Sequence, residues 1–206
     1  MKISYAVTVC DEYVEIQQLL SQLLEHKRKE DEIVVLFDDS KNSTSVEDYL
    51  RSHSINGEFN WHKSTFNKNF ADWKNRLTTL CSGDFIYQID ADELLSPEMF
   101  SLLPEIIKSN PEVDLYYVPR INTVSGITQE HIQKWGWRYE NERVNWPDYQ
   151  TRIYRNVPEI KWRNAVHEVI EGHRQFTVLP AIDELALLHP KSIEKQEKQN
   201  NFYNTL

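Results

Sequence analysis

Two acidic clusters, Asp38-Asp39 and Asp90-Ala91-Asp92-Glu93, are the residues of this chain best suited to chemistry. Each directly follows a continuous apolar, β-branched or aromatic run, Ile33 to Phe37 and Phe85 to Ile89, of the kind that forms a buried strand. Carboxylates crowded at strand ends repel one another and resist desolvation unless a cationic or polar ligand meets them. Hard divalent cations such as Mg²⁺ or Mn²⁺ prefer carboxylate oxygens, and a metal bridging two phosphates needs only one or two of them, with at most an imidazole besides. Asp-x-Asp alone is a common surface turn. Its position here, after a buried strand and before a Ser96-Pro97 helix start, favours a ligand site.

The elements that must position these acids follow from hydrophobic spacing. Ile3 to Val9 reads as a first strand, and Ile16, Leu19, Leu20, Leu23 and Leu24 repeat as one helix face. After the Ile33–Phe37 strand, a polar loop enters a short helix over 46–52, and Phe59 to Lys63 reads as a third strand. Phe70, Trp73, Leu77 and Leu80 share a helix face that Ser82-Gly83 terminates. Ser96 caps a further helix with Met99, Leu102, Leu103, Ile106 and Ile107 facing inward. This alternation predicts an α/β fold with a mainly parallel sheet flanked by helices, and in such sheets ligands bind at the carboxyl ends of the strands. Later, Leu115–Val118 and Thr151–Tyr154 predict an antiparallel extension, with the Trp-rich segment between them read as an ordered loop. Glu194 to Asn201 reads as a polar tail.

At 206 residues with 40% hydrophobic and 27% charged residues, one soluble domain spanning 1–206 is expected. Within it, 1–93 reads as the half that carries both acidic clusters, 94–190 as the half with the antiparallel extension and 191–206 as the tail. No stretch approaches the roughly 18 uninterrupted apolar residues of a membrane span, and the N-terminus lacks an export signal. Cys10 and Cys81 have no metal-ligand spacing, so a reduced, cytoplasmic protein is expected, peripheral at most to the inner face of the membrane. A net charge of -9 disfavours nucleic acid as a partner, although basic residues do gather between Arg138 and Arg163.

The stretch from Ser82 to Glu93, preceded by Asn75, resembles the helix, strand and Asp-x-Asp signature of family 2 glycosyltransferases with the GT-A fold. The opening strand and Asp38-Asp39-Ser40 agree with it. Trp162 to Glu168 resembles the "VHE" element of the lipopolysaccharide-core β-1,4-glucosyltransferase type, and Leu187-Leu188-His189 resembles the late histidine of that group. Two departures stand out: Ser40 replaces the usual Gly after the paired aspartates, and the Gln-x-x-Arg-Trp element of processive synthases is missing, which favours single transfer.

The resemblance implies a nucleotide-diphosphate sugar as donor, a UDP-sugar first, and a saccharide or other hydroxyl-bearing acceptor. It implies that Thr8, Val9, Cys10 and Glu12 line the nucleotide pocket with Asn75 nearby, and that Asp39, with Asp38 beside it, contacts uracil or ribose. Asp90, Ala91 and Asp92 would hold ribose and the metal-bound diphosphate, with His189 a further metal ligand. An inverting displacement needs a carboxylate base across the sugar from the metal. Glu168 is the first candidate and Asp148 the second, with His167 able to orient Glu168 or touch phosphate. Arg152 and Arg163 are candidates for phosphate or an anionic acceptor. Trp135, Trp137 and Trp146 are candidates for a platform under a sugar face. The rival readings are a binding protein that has lost catalysis and a nucleotidyltransferase. The second lacks its Gly-rich phosphate loop, since Val9-Cys10-Asp11-Glu12 follows the first strand.

Overall fold

The computed structural model describes residues 1–203, with the side chains of Gln199, Asn201, Phe202 and Tyr203 excepted. In chain order the elements are β1 (Ile3–Val9), α1 (Tyr13–His26), β2 (Glu32–Asp38), α2 (Thr44–His53), β3 (Asn60–Ser64), α3 (Phe70–Leu80), β4 (Phe85–Asp90), β5 (Leu94–Leu95) and α4 (Pro97–Ser109). The second half contains β6 (Leu115–Ser125), α5 (Gln129–Trp135), β7 (Tyr139–Glu140), β8 (Arg143–Arg155), β9 (Lys161–Arg163), β10 (Val169–Glu171), β11 (Phe176–Val178), a 3-10 turn (Asp183–Leu185), β12 (Leu187–Ser192) and α6 (Ile193–Tyr203).

The main sheet runs β3-β2-β1-β4-β8-β6-β12-β5. β1 lies parallel between β2 and β4, whereas β8 is antiparallel to both β4 and β6. The expected α/β architecture with its antiparallel extension is therefore what forms. Period-two alternation sends successive strand residues to opposite faces, and both faces are covered. Tyr5, Val7, Val35 and Tyr87 pack under α1 and α4, while Ala6, Val34, Leu36 and Ile86 pack under α3 and Trp162. Val9 stands level with Phe37, and Thr8 with Asp90, so three strands end together and deliver both acidic clusters to one edge.

Local signals fix the element ends. Ser96 accepts a hydrogen bond from the Met99 amide, with Pro97 in the first turn of α4. At Gly83 the chain passes so close to β1 that a Cβ would lie 2.6 Å from Ser4 Oγ. Three expectations change. Leu102 is 40% exposed, because the face α4 turns into the core carries Met99, Phe100, Leu103, Pro104 and Ile107. The Trp-rich segment is regular instead of a loop, since β6 and β8 extend far beyond their apolar cores as paired arms carrying α5 between them. The supposed tail continues β12 to Ser192 and then forms α6, whose Ile193 is buried against Val124 and Val144. Residues 204–206 of that tail lie outside the described residues.

One carboxylate ties the far end of the sheet together. Glu32 accepts hydrogen bonds from Lys2 Nζ and Ser4 Oγ at 2.6 Å each, and from the Ser82 amide at 2.5 Å. Burial pushes its pKa up, but these bonds outweigh burial and lower it from an ordinary 4.5 to about 2. A depressed folded-state pKa gives stability that is complete above about 4.5 and lost as pH falls through about 2. Glu32→Gln is expected to cost about 2 kcal/mol at pH 7. Urea unfolding of both proteins between pH 7 and pH 2 should show that difference shrinking with acid.

Candidate active site

The strand-end edge carries a continuous polar network, and each link follows from residues aimed inward at the seam between the parallel and antiparallel halves. Asp90 ends β4. Its Oδ1 accepts from Thr8 Oγ1 and Gln88 Nε2, both at 2.9 Å, and its Oδ2 from Arg152 at 2.7 Å. Arg152 also donates to Gln88 Oε1 and, at 2.5 Å, to the fully buried Glu93. Arg120, on β6, joins Glu93 at 3.0 Å to Asp148 at 2.7 Å. Asn122, two residues along the same strand, donates to Asp148 at 2.8 Å and meets His189 Nδ1 at 2.7 Å. His189 Nε2 then stands 3.4 Å from Asp92 Oδ2.

The hydrogen-bond directions at the end of this chain decide what Asp92 and His189 can hold. Because the Asn122 amide nitrogen donates to Asp148, its carbonyl oxygen faces His189, and Nδ1 must carry the proton there. Burial pushes the His189 pKa down despite the neighbouring Asp92. The neutral imidazole thus presents the Nε2 lone pair. Burial also pushes the Asp92 carboxyl up, but its contact with His189 and the ammonium charges of Lys191 and Lys195 outweigh this and hold it well below the usual range. A lone pair and a carboxylate oxygen facing each other at 3.4 Å are two acceptors around a place for a cation. The donor set therefore fits a hard divalent metal, with phosphate and water completing its shell. Among the described residues no three His, Cys, Asp or Glu side chains converge on one point.

The two clusters divide their labour. Asp38 Oδ1 accepts from the Ser40 and Phe66 amides, each at 2.9 Å, which commits it to holding the loop after β2. Asp39 is half-buried and accepts from Thr65 Oγ1 at 2.6 Å, leaving it the more accessible of the pair. Ser40 donates its hydroxyl to Asp38 at 2.8 Å and so serves this loop. Between the clusters, Val9 ends β1 and Cys10 follows it, and Glu12 Oε2 accepts from the Cys10 amide at 2.8 Å. Ala91 is buried, its amide donating to the Thr8 carbonyl at 3.0 Å.

Glu168 lies in the turn between β9 and β10, docked at the start of α3 where the Phe70 amide donates to the Ala165 carbonyl at 2.9 Å. Asn164 and His167 hold that turn at positive φ of 72° and 55°. Lys74 Nζ approaches Glu168 Oε1 at 2.5 Å while lying 4.3 Å over the Trp162 ring. Burial pushes the Asp90 carboxyl up, and Arg152 first, then Lys74, outweigh it and lower its pKa. Lys74 thus contacts Glu168 and lies near enough to Asp90 for its charge to be felt there, which brings the turn toward the strand ends.

Several candidates stand elsewhere or act differently. Arg152 is 3% exposed and enclosed by acids, so it supports the site instead of reaching a ligand. Asp148 accepts two bonds from Arg120, one from Asn122 and one from Gln150, which suits a positioning group better than a base. Burial pushes its pKa up, and Arg120 more than offsets this, keeping it below the ordinary value. Asn75 has both amide atoms bonded to the backbone of Trp162 at 2.9 Å. Arg163 is exposed and faces Glu171 at 3.7 Å. His167 is exposed beside Glu168. Trp135 and Trp137, 4.6 Å apart, pack with Val124, Val144 and Ile193 as a satellite cluster. Trp146 instead borders a hollow of about 220 Å³, beneath the Arg143 guanidinium 5.0 Å away.

Sequence reasoning did not single out Arg120, Asn122, Lys74 or Lys195. Arg120 and Asn122 share a β6 face, but only strand pairing reveals that Asp148 lies opposite Arg120. Arg152→Met is expected to cost about 3 kcal/mol by leaving buried carboxylates unpaired, measured by urea unfolding at pH 7.

Residues 4–167 match the family model described as glycosyl transferase family 2. No curated protein matches the chain by sequence. Among solved structures, S. aureus TarS 1-349 is 17% identical with a TM-score of 0.61, over 92% of this chain and 60% of that one. Its complex with UDP-GlcNAc is similar at 16% identity and a TM-score of 0.62, over 93% and 59%. A third, with UDP, has a TM-score of 0.61 at 17% identity, over 96% and 63%. The chain thus spans about 60% of the length of TarS 1-349 and shares its fold. Among the described residues, no helix is long and apolar enough to cross a membrane.

Proposed function

The chain belongs to glycosyl transferase family 2, and from that premise we propose that it is an inverting, metal-dependent enzyme that moves one sugar from a UDP-sugar to an acceptor hydroxyl. The observation that carries this reading is the pair of facing acceptors, Asp92 Oδ2 and His189 Nε2, at the carboxyl edge of the parallel strands. Similarity to structures holding UDP-GlcNAc and UDP supports a uridine nucleotide as donor. Of the finer types, the lipopolysaccharide-core β-1,4-glucosyltransferase kind fits best, on its Val-His-Glu and late-histidine elements.

In this reading Mn²⁺ or Mg²⁺ supplies electrostatic stabilisation of the departing diphosphate when bound. Asp92 and His189 would hold it. Asp39 and the Thr8–Glu12 strand end contact uracil and ribose, with Asp90 facing the ribose from its Arg152 anchor. Glu168 accepts the proton of the acceptor hydroxyl as that oxygen bonds to the anomeric carbon and the bond to diphosphate breaks, so UDP leaves and the configuration inverts. Before transfer Glu168 must exchange its Lys74 contact for the acceptor hydroxyl. Residues 1–93 form most of the donor half of a single domain, and residues 94–190, with Trp146 at the rim, form the acceptor half, from which His189 reaches back to the donor edge. The cytoplasm is the proposed location.

Calorimetric titration with UDP and with GDP, in Mn²⁺ and again in chelator, tests this. UDP binding that requires Mn²⁺ is expected. A folded protein that binds neither nucleotide under either condition would overturn the donor site.

A further inference from the structure

We propose that Lys195 is a cation of the donor site itself, paired with Asp92 before the donor arrives and transferred to its diphosphate afterwards. The inference rests on the donor reading above and extends the site to α6. Lys195 Nζ lies 3.3 Å from Asp92 Oδ2, the same oxygen that faces His189, and 3.0 Å from Glu15 Oε1 in the first turn of α1. Its place is fixed from below. Ile193 is buried against β6 and β8, and Ser192 Oγ accepts a hydrogen bond from the Lys195 amide at 3.2 Å. The side chain stays about one third exposed, so the ammonium can swivel while its helix stays anchored.

The chemistry follows from charge. Asp92 Oδ2 cannot be shared at close range by a divalent cation and an ammonium without strong repulsion between them. When a cation enters between Asp92 and His189, Lys195 is displaced from that oxygen, and Glu15 offers it only one anion on the rim. A diphosphate bound to that cation would carry non-bridging oxygens into reach of Lys195, and an ammonium on a flexible stem suits such a ligand. Lys195 therefore competes with metal when no nucleotide is present and cooperates with it once a nucleoside diphosphate is bound.

Calorimetry on the full chain distinguishes this from a strut joining α6 to α1. For Lys195→Met the expected results are UDP affinity in Mn²⁺ lowered about tenfold or more, UMP affinity changed by less than about twofold, and Mn²⁺ alone bound more tightly than by wild type. Lys195→Arg should keep UDP affinity within about threefold, and so should Glu15→Gln, which breaks the strut and leaves the charge. If Lys195→Met does not fold, Lys195→Gln replaces it with the same expectations. UDP affinity unchanged in the neutral variant, equal loss of UDP and UMP, or weaker Mn²⁺ binding would each overturn the role. Wild type that fails to bind UDP in Mn²⁺ would overturn the donor reading itself, which separates the two failures.

Discussion

Replacing Asp92 by Asn should abolish the metal dependence of nucleotide binding and lower turnover by about a thousandfold, the loss expected when several kcal/mol of metal-borne charge stabilisation is removed. The substitution keeps the shape of the side chain but leaves His189 Nε2 facing a neutral amide. A divalent cation then loses the anionic member of its two protein ligands and keeps at best a weaker amide oxygen. Lys195 loses the same partner and turns to Glu15 alone. The fold should survive with a loss of about 2 kcal/mol or less, because Asp92 gives up its contacts to His189 and Lys195 but stands outside the Arg152 and Glu93 cluster that supports the strand ends. UDP titration with and without Mn²⁺, combined with a thermal melt, separates lost chemistry from lost structure. An Asp92→Asn protein whose UDP affinity still rises with Mn²⁺ would remove Asp92 from the proposed site.

Glu168→Gln should act on a different step. General bases contribute about a hundredfold to ten-thousandfold, so turnover should fall within that range while UDP affinity stays within about twofold of wild type. The amide still accepts from Lys74, so the turn between β9 and β10 should remain docked on α3. Asp148→Asn is the matched control. Its carboxylate is enclosed by Arg120, Asn122 and Gln150, and its loss should disturb His189 through Asn122 and so weaken metal-dependent UDP binding along with turnover. Turnover is read as UDP released from a UDP-sugar in a panel of saccharide acceptors. If Glu168→Gln retains full turnover and Asp148→Asn loses it without any change in UDP affinity, the two residues exchange roles.

Much of this arrangement was legible before any coordinates. Strand periodicity around Val7, Val35 and Tyr87 places both acidic clusters at one sheet edge, because parallel strands joined by helices must end on the same side. The Ser96-Pro97 cap is a local signal and acts locally. What stayed hidden was long-range pairing. A buried arginine between two acids looks, in sequence, like a surface arginine with a free guanidinium, and only the antiparallel placement of β8 beside β4 encloses Arg152. The choice between Asp38 and Asp39 depended on whether the Phe66 amide reached β2, a contact set by the loop after β3. The extended arms of β6 and β8 are too polar, with Asn122, Asn145 and Asp148, to announce themselves as strands. Polar composition hid α6 for the same reason, although its Ile193 anchor and Lys195 bring the end of the described chain back to the donor edge.

Asp92 and His189 are proposed to hold a cation against a nucleoside diphosphate. Anomalous diffraction from crystals grown with UDP and Mn²⁺ tests it most directly. The account predicts one strong manganese peak about 2.2 Å from both Asp92 Oδ2 and His189 Nε2, with diphosphate oxygens completing its shell. Ordered UDP with manganese bound elsewhere, or with no manganese at this edge, would contradict it.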